Sequence, residues 1–287
     1  MFWQSWAHIP ENINPVAFII GPIRVHWYGL MYAAAFFVVY SLVLYRIKRE
    51  SLSYKKETIV DFMFLALACL FVGGRLGYVL FYNLPYFLAN PISIISPFDF
   101  SHGIHYTGIY GMSFHGALIG VFLSFVYYCR KHKINLWRFI DLFVPAIPLG
   151  YTFGRIGNFL NGELYGRVTT APWGMYFPLD ESHQLRHPSQ LYEAFFEGIV
   201  LFIILWSLRK LKVFDGFVTT MYLIGYGTAR FFVEFFRQPD VQLGFVLGPF
   251  TMGQILCSVM IVTGIAVLIG HRIKSQIKVH KHSGGVR

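Results

Sequence analysis

Long apolar runs alternate with short polar connections along this chain. Seven runs are long enough, or nearly so, to cross a bilayer, which takes about 20 residues of helix. They cover Trp27 to Tyr45, Ile59 to Tyr82, Ser113 to Cys129, Phe139 to Phe159, Leu191 to Leu208, Phe217 to Phe236 and Phe250 to Gly270. The pattern predicts an all-α membrane protein with seven transmembrane helices, a single polytopic domain over residues 1–287. The connections at about 83–112 and 160–190 and the tail at 271–287 are predicted outside the membrane.

Composition agrees with the pattern. Hydrophobic residues make up 55% of the chain and charged residues 13%, against about a quarter charged in a soluble domain. A net charge of +10 would suit nucleic acid, but the placement of the basic residues argues otherwise. Connections after the first, third and fifth runs, together with the tail, carry five, four, three and five Lys or Arg. The opposite side holds only Arg24, Arg167, Arg186 and Arg237, and residues 83–112 have no Lys or Arg. Basic excess marks the cytoplasmic side, so the N-terminus is predicted outside and the C-terminus in the cytoplasm. The start of the chain has no basic segment before an apolar run, and no cleaved leader is expected. Cys69, Cys129 and Cys257 are scattered in apolar runs, which fits packing rather than a disulfide framework or a metal site.

Three arginines fall inside predicted spans: Arg75, Arg155 and Arg230. Charge in hydrocarbon is costly, and such residues usually face a polar interior and mark a site. At 1.5 Å of rise per residue, Arg75, Arg155 and Arg230 lie towards the outer ends of their helices. His26, Tyr28 and His115 lie at the outer starts of theirs. Tyr222, Tyr226, Arg230 and Glu234 recur every four residues and form one stripe. Gly73 and Gly77, Gly116 and Gly120, and Gly150 and Gly154 have the spacing of close helix packing.

The stretch GRIGNFLNGELYG, 154–166, ends an apolar run with Arg155, Asn158 and Glu163. Its Asn-Gly pair is a turn signal, so the helix is predicted to end at Asn161. Arg155 and Asn158 then share a face, with Glu163 just beyond. A planar guanidinium fork suits phosphate, and the outer-leaflet position suggests an anionic headgroup. His115 is a candidate base near neutral pH. The motifs of serine hydrolases, P-loop enzymes and zinc peptidases are missing. A transporter of an anionic solute is the rival reading, since it also uses intramembrane charge and broken helices. An inverted repeat, common in transporters, is not found here.

GRIGNFLNGELYG closely resembles the signature of the bacterial prolipoprotein diacylglyceryl transferases. HWYGLMY (26–32), GGRLGYVLFYN (73–83), GMSFHGALIG (111–120), RHPSQLYE (186–193) and LIGYGTARFFVEFFRQPD (223–240) match in family order. The resemblance implies a seven-helix body with two peripheral arms and a small periplasmic head, in the bacterial inner membrane. It also implies transfer of the diacylglyceryl group of phosphatidylglycerol to the lipobox cysteine of a prolipoprotein signal peptide, with no metal, cofactor or nucleic acid. Carried over by motif, the essential residues are Tyr28, His115, Arg155, Asn158, Glu163, Gly166, Tyr226, Arg230 and Glu234. Arg155 and Arg230 would hold phosphate with Arg75, Asn158, Glu163, Gly166 and Glu234, while His115, Tyr28 and Tyr226 join the two arginines in catalysis. Two features depart from the family. Ala117 replaces a glycine, and the stretch between Gly166 and His187 is short. Residues 101–111 look like a local variation with no assigned role.

Overall fold

The computed structural model describes residues 2–96, 98–99, 105–106, 111–239 and 244–283. The helices of eight or more residues are α1 (Trp27–Arg49), α2 (Lys56–Phe81), α3 (Phe114–His132), α4 (Leu136–Phe143) and α5 (Ile147–Leu160). They continue with α6 (Ser189–Leu208), α7 (Phe217–Val233) and α8 (Met252–Ser283). A turn of π-helix at Ala194–Val200 interrupts α6. Antiparallel hairpins pair β1 (Val16–Ile20) with β2 (Ile23–His26), β3 (Phe98–Asp99) with β4 (His105–Tyr106), and β5 (Phe245–Leu247) with β6 (Phe250–Thr251). Most of 101–111 lies outside the described residues.

Among the described residues, four helices are long and apolar enough to cross a membrane: α1, α2, α6 and α8 over Met252–Lys274. The other predicted spans are helical but differ in form. α3 has 19 residues and closes on Arg130, Lys131 and His132. α7 has 17. The Phe139 to Phe159 run is broken into α4 and α5 by a turn at residues 144–146. Pro145 lies in that turn and Pro148 in the first turn of α5. Proline lacks the N–H that a continuous helix needs there.

The chain forms two compact units, residues 47–140 and residues 1–46 with 141–287. In the first, α2 and α3 pack through glycine. A Cβ on Gly77 would lie 2.7 Å from the Gly116 Cα, and one on Gly73 would lie 2.9 Å from the Gly120 Cα. Ile59, Phe62, Phe125, Tyr128 and Phe139 are buried beside this seam. Their rings meet at centroid distances of 4.3 to 5.9 Å.

In the second unit, α5 approaches α1 at Gly150, which faces Val39 and Ala35, and at Gly157, which faces Tyr28 and Met31. Gly154 has nothing within 4 Å, so the predicted pairing of Gly150 with Gly154 holds at Gly150 alone. The π-turn of α6 packs on α5, where Gly198 meets Thr152. Buried Arg46 donates to the Asp141 and Leu142 carbonyls, both at 2.7 Å. These lie in the last turn of α4, whose carbonyls have no helical partner. The Asp141 carboxylate in turn caps α7, accepting from the Gly216 and Thr219 N–H groups at 2.8 Å.

Residues 161–188 fold over the end of α5. Phe159, Met175 and Phe177 form their apolar centre. Arg186 grips Asp180 with both arms of its fork, at 2.8 and 2.9 Å. That guanidinium holds the Asp180 carboxyl well below the usual carboxylate range.

Candidate anion-binding site

α5 ends where its sequence predicts. Leu160 is its last residue and Asn161 its cap. Gly162 follows with φ of +70°, a conformation favourable to glycine. The reversal brings Glu163 back to the helix, where its Oε1 accepts from the Asn158 Nδ2 at 2.8 Å. The Asn158 Oδ1 accepts from the Arg155 Nη1 at 3.3 Å. Tyr28 of α1 has Asn158 and Glu163 among its polar neighbours, and its hydroxyl donates to Tyr32 at 3.0 Å. An arginine, an amide, a carboxylate and a phenol thus form one connected row.

The row leads into a denser cluster centred on Glu193, which is fully buried. Glu193 Oε2 lies 2.7 Å from the Arg155 Nε and 2.8 Å from the Arg230 Nη1. The Tyr151 hydroxyl oxygen lies 3.1 Å from the same oxygen. Glu193 Oε1 accepts from the Arg237 Nη1 at 3.1 Å. One helical turn on, Glu197 accepts from Tyr151 at 2.7 Å. Glu193 and Glu197 flank the start of the π-turn, a distortion frequent at functional sites.

α7 supplies the other wall. Tyr222 and Tyr226 stack at 5.5 Å, and Tyr226 meets Tyr151 edge-on at 6.0 Å. Arg230 pairs with Glu234 at 2.9 Å. The cluster therefore sets Arg155, Arg230 and Arg237 against Glu193, Glu197 and Glu234. Buried charges of this kind persist only when paired, since each costs several kcal/mol to desolvate. Arg230 Nη1, Glu234 Oε2, Glu197 Oε1 and Gln190 Oε1 are buried without an aligned hydrogen bond. Three of these atoms still face an opposite charge: Arg230 Nη1 lies 2.8 Å from Glu193 Oε2 and 3.6 Å from Glu197 Oε1, and Glu234 Oε2 lies 2.9 Å from the Arg230 Nη2.

The remaining candidate residues are placed differently. Gly166 bridges to Arg237, and its N–H donates to the His187 carbonyl at 2.8 Å. A Cβ there would lie 2.8 Å from both the Cβ and the carbonyl oxygen of His187 and would also strike the Phe236 carbonyl. Glycine is thus required for backbone packing that fixes the Arg237 segment. Arg75 and His115 belong to the 47–140 unit. Arg75 donates to the Ser93, Ile94 and Gly111 carbonyls at 2.6, 2.7 and 3.3 Å and lies over the Phe87 ring. His115 is exposed in the first turn of α3.

Sequence reasoning passed over Glu193, Glu197, Tyr151 and Arg237. The signal for two of them was present. Glu193 and Glu197 lie four apart inside the run Leu191 to Leu208, and the intramembrane charge rule applies to acids as well as bases. Arg237 reads in sequence as an outer-side loop charge, and Tyr151 carries no sequence mark.

Apolar helices of crossing length and a buried arginine–carboxylate cluster define a membrane protein with a charged interior site. Comparison with known proteins makes this specific. The family model for prolipoprotein diacylglyceryl transferase matches residues 15–270, and the chain belongs to that family. It is 53% identical to the phosphatidylglycerol–prolipoprotein diacylglyceryl transferase of Chlorobaculum tepidum, over 96% of both chains. It is 42% identical to the enzyme of that name from Campylobacter jejuni, over 94% of this chain and 98% of the relative. The Acinetobacter baylyi enzyme of that name is 46% identical, over 88% and 90%.

Proposed function

We propose that this chain transfers the diacylglyceryl group of phosphatidylglycerol to the lipobox cysteine of prolipoproteins, the first step of bacterial lipoprotein maturation. The cysteine sulfur forms a bond to the glyceryl carbon, and the bond from that carbon to the phosphate oxygen breaks. Glycerol phosphate leaves with the bonding electrons, and the thiol proton passes to a base. Family membership supports this chemistry. The observation that carries it in this chain is the convergence of Arg155 and Arg230 within 2.8 Å of one oxygen, Glu193 Oε2. A phosphodiester beside Glu193 would meet both guanidiniums and share their donors.

The two arginines then stabilise charge on the leaving phosphate. Asn158 and Glu163 orient Arg155 and offer polar contacts to the headgroup. Tyr28 and Tyr226 border the reacting carbon, and Glu234 holds Arg230. Gly166 serves through the backbone packing that seats Arg237. His115 is the candidate base for the thiol proton. A body of seven spans, with the N-terminus outside and the C-terminus in the cytoplasm, would place the cluster towards the outer leaflet of the inner membrane. The basic-residue asymmetry favours that orientation.

The test uses phosphatidylglycerol labelled in its acyl chains and a lipobox peptide. Label should appear on the cysteine as a thioether and be missing from a serine-substituted peptide. An unmodified peptide would overturn the proposal. Movement of an anion across sealed vesicles without peptide modification would favour the transporter reading.

A further inference from the structure

The start of α8 is built with more precision than a membrane anchor needs. Thr251 and Gln254 form a reciprocal capping box. The Gln254 N–H donates to the Thr251 Oγ1 at 3.3 Å, and the Thr251 N–H donates to the Gln254 Oε1 at 3.1 Å. This satisfies two N–H groups that the first turn leaves orphaned. The Thr251 hydroxyl proton remains available, and it is donated to the Glu234 Oε1 at 3.1 Å. The Gln254 Nε2 reaches the Phe231 carbonyl at 3.4 Å, one of the last carbonyls of α7. Thr251 and Gln254 are both buried.

Gly253 completes the arrangement. A Cβ there would lie 2.9 Å from the Glu234 Oε1 and 3.1 Å from its Cδ. Both atoms belong to a carboxylate already held on two sides, by Thr251 and by Arg230. Glycine is what lets the first turn of α8 close on Glu234. The positive end of the α8 dipole also favours a carboxylate there.

We propose that Thr251, Gly253 and Gln254 are positioning residues for the anion site. They fix the Glu234 carboxylate, and Glu234 fixes the Arg230 guanidinium facing Glu193. α8 thereby takes part in transfer without touching substrate. This rests on the proposed role of Arg230 in holding the lipid phosphate.

The test compares T251V, T251S, G253A and E234Q in the full-length protein. Transfer to the lipobox peptide is measured at varied phosphatidylglycerol and normalised to folded protein by thermal denaturation. Loss of a hydrogen bond to a charged group is worth about tenfold in kcat/KM. T251V and G253A should each show that loss per folded molecule, and T251S should recover most of it. E234Q should reproduce the loss, and T251V added to E234Q should cost no more than about twofold. If T251V lowers only the thermal midpoint and leaves kcat/KM intact, the box is merely structural and the proposal fails. Full activity of E234Q would overturn the proposal and, if Arg230→Lys were also fully active, the reading of the site beneath it. If E234Q is too slow for the double variant to be measured, T251V against T251S decides alone.

Discussion

Arg75 and Arg230 both lie inside predicted spans, and their partners among the described residues differ in kind. There, Arg75 donates to the backbone carbonyls of Ser93, Ile94 and Gly111. Arg230 faces carboxylates: Glu193 at 2.8 Å, Glu197 at 3.6 Å and Glu234 at 2.9 Å. Carbonyl dipoles belong to the fold and cannot move without it. Carboxylates form a charged set whose protons and counter-ions can change. An arginine in a membrane span therefore marks either a staple or a site, and its partners distinguish the two.

Replacing each arginine by lysine breaks or sharpens that distinction. Lysine keeps the charge and loses the planar fork. We expect Arg155→Lys and Arg230→Lys to lose at least about 100-fold in transfer per folded molecule, since in the proposed mechanism each removes donors that stabilise the leaving phosphate. Near-normal transfer by either would mean that charge alone suffices.

The next effect is on stability. Glu193→Gln leaves Arg155, Arg230 and Arg237 facing a neutral amide. Removing one partner from a buried ion cluster costs about 3–5 kcal/mol. Thermal denaturation should register that loss clearly, and an unchanged midpoint would show the cluster to be solvated and loosely held.

Much of this contrast was legible in the sequence. The glycine spacing marked α2 and α3 for close helix packing, Asn161 and Gly162 predicted the end of α5, and the four-residue recurrence placed Arg230 and Glu234 on one stripe. Each is a local, periodic signal. What stayed hidden depends on contacts between distant residues. Nothing near Arg75 in sequence announces that it will hold carbonyls of residues 93, 94 and 111. The run from Phe139 to Phe159 scores as one span because hydropathy averages over Pro145 and Pro148. Glu193 and Glu197 are four apart in an apolar run, a local signal, but the partners that make them a site, Arg155, Arg230 and Arg237, lie on distant segments.

A smaller effect is expected in the other unit. Arg75→Lys should retain one or two of the three carbonyl contacts. Amide exchange over residues 91–96 should quicken, while transfer should fall by no more than about fivefold, since each lost bond is worth about 1 kcal/mol. A transfer defect as deep as that of Arg155→Lys would erase the distinction between staple and site and give Arg75 a role at the phosphate.

The smallest effect extends the comparison to a third arginine, outside the spans. Arg186 grips Asp180, as Arg230 grips Glu234, but in the 161–188 segment, where water can reach its rim. The Arg186 guanidinium is the largest cause of the depressed Asp180 pKa, with help from Ser182. A depressed carboxyl stabilises the fold above its unfolded pKa, near 3.9, and that stability is lost as pH falls towards the folded value. The wild-type segment should therefore loosen only in strong acid. Asp180→Asn should weaken it at pH 7 and remove most of this acid dependence, so the two proteins converge as pH drops below about 4. Fluorescence of Trp173, whose carbonyl accepts from the Trp6 indole at 2.9 Å, would follow the transition. A stability difference that stayed constant from pH 7 down to pH 2 would mean the Asp180 charge is not what Arg186 holds, and that packing alone carries the segment.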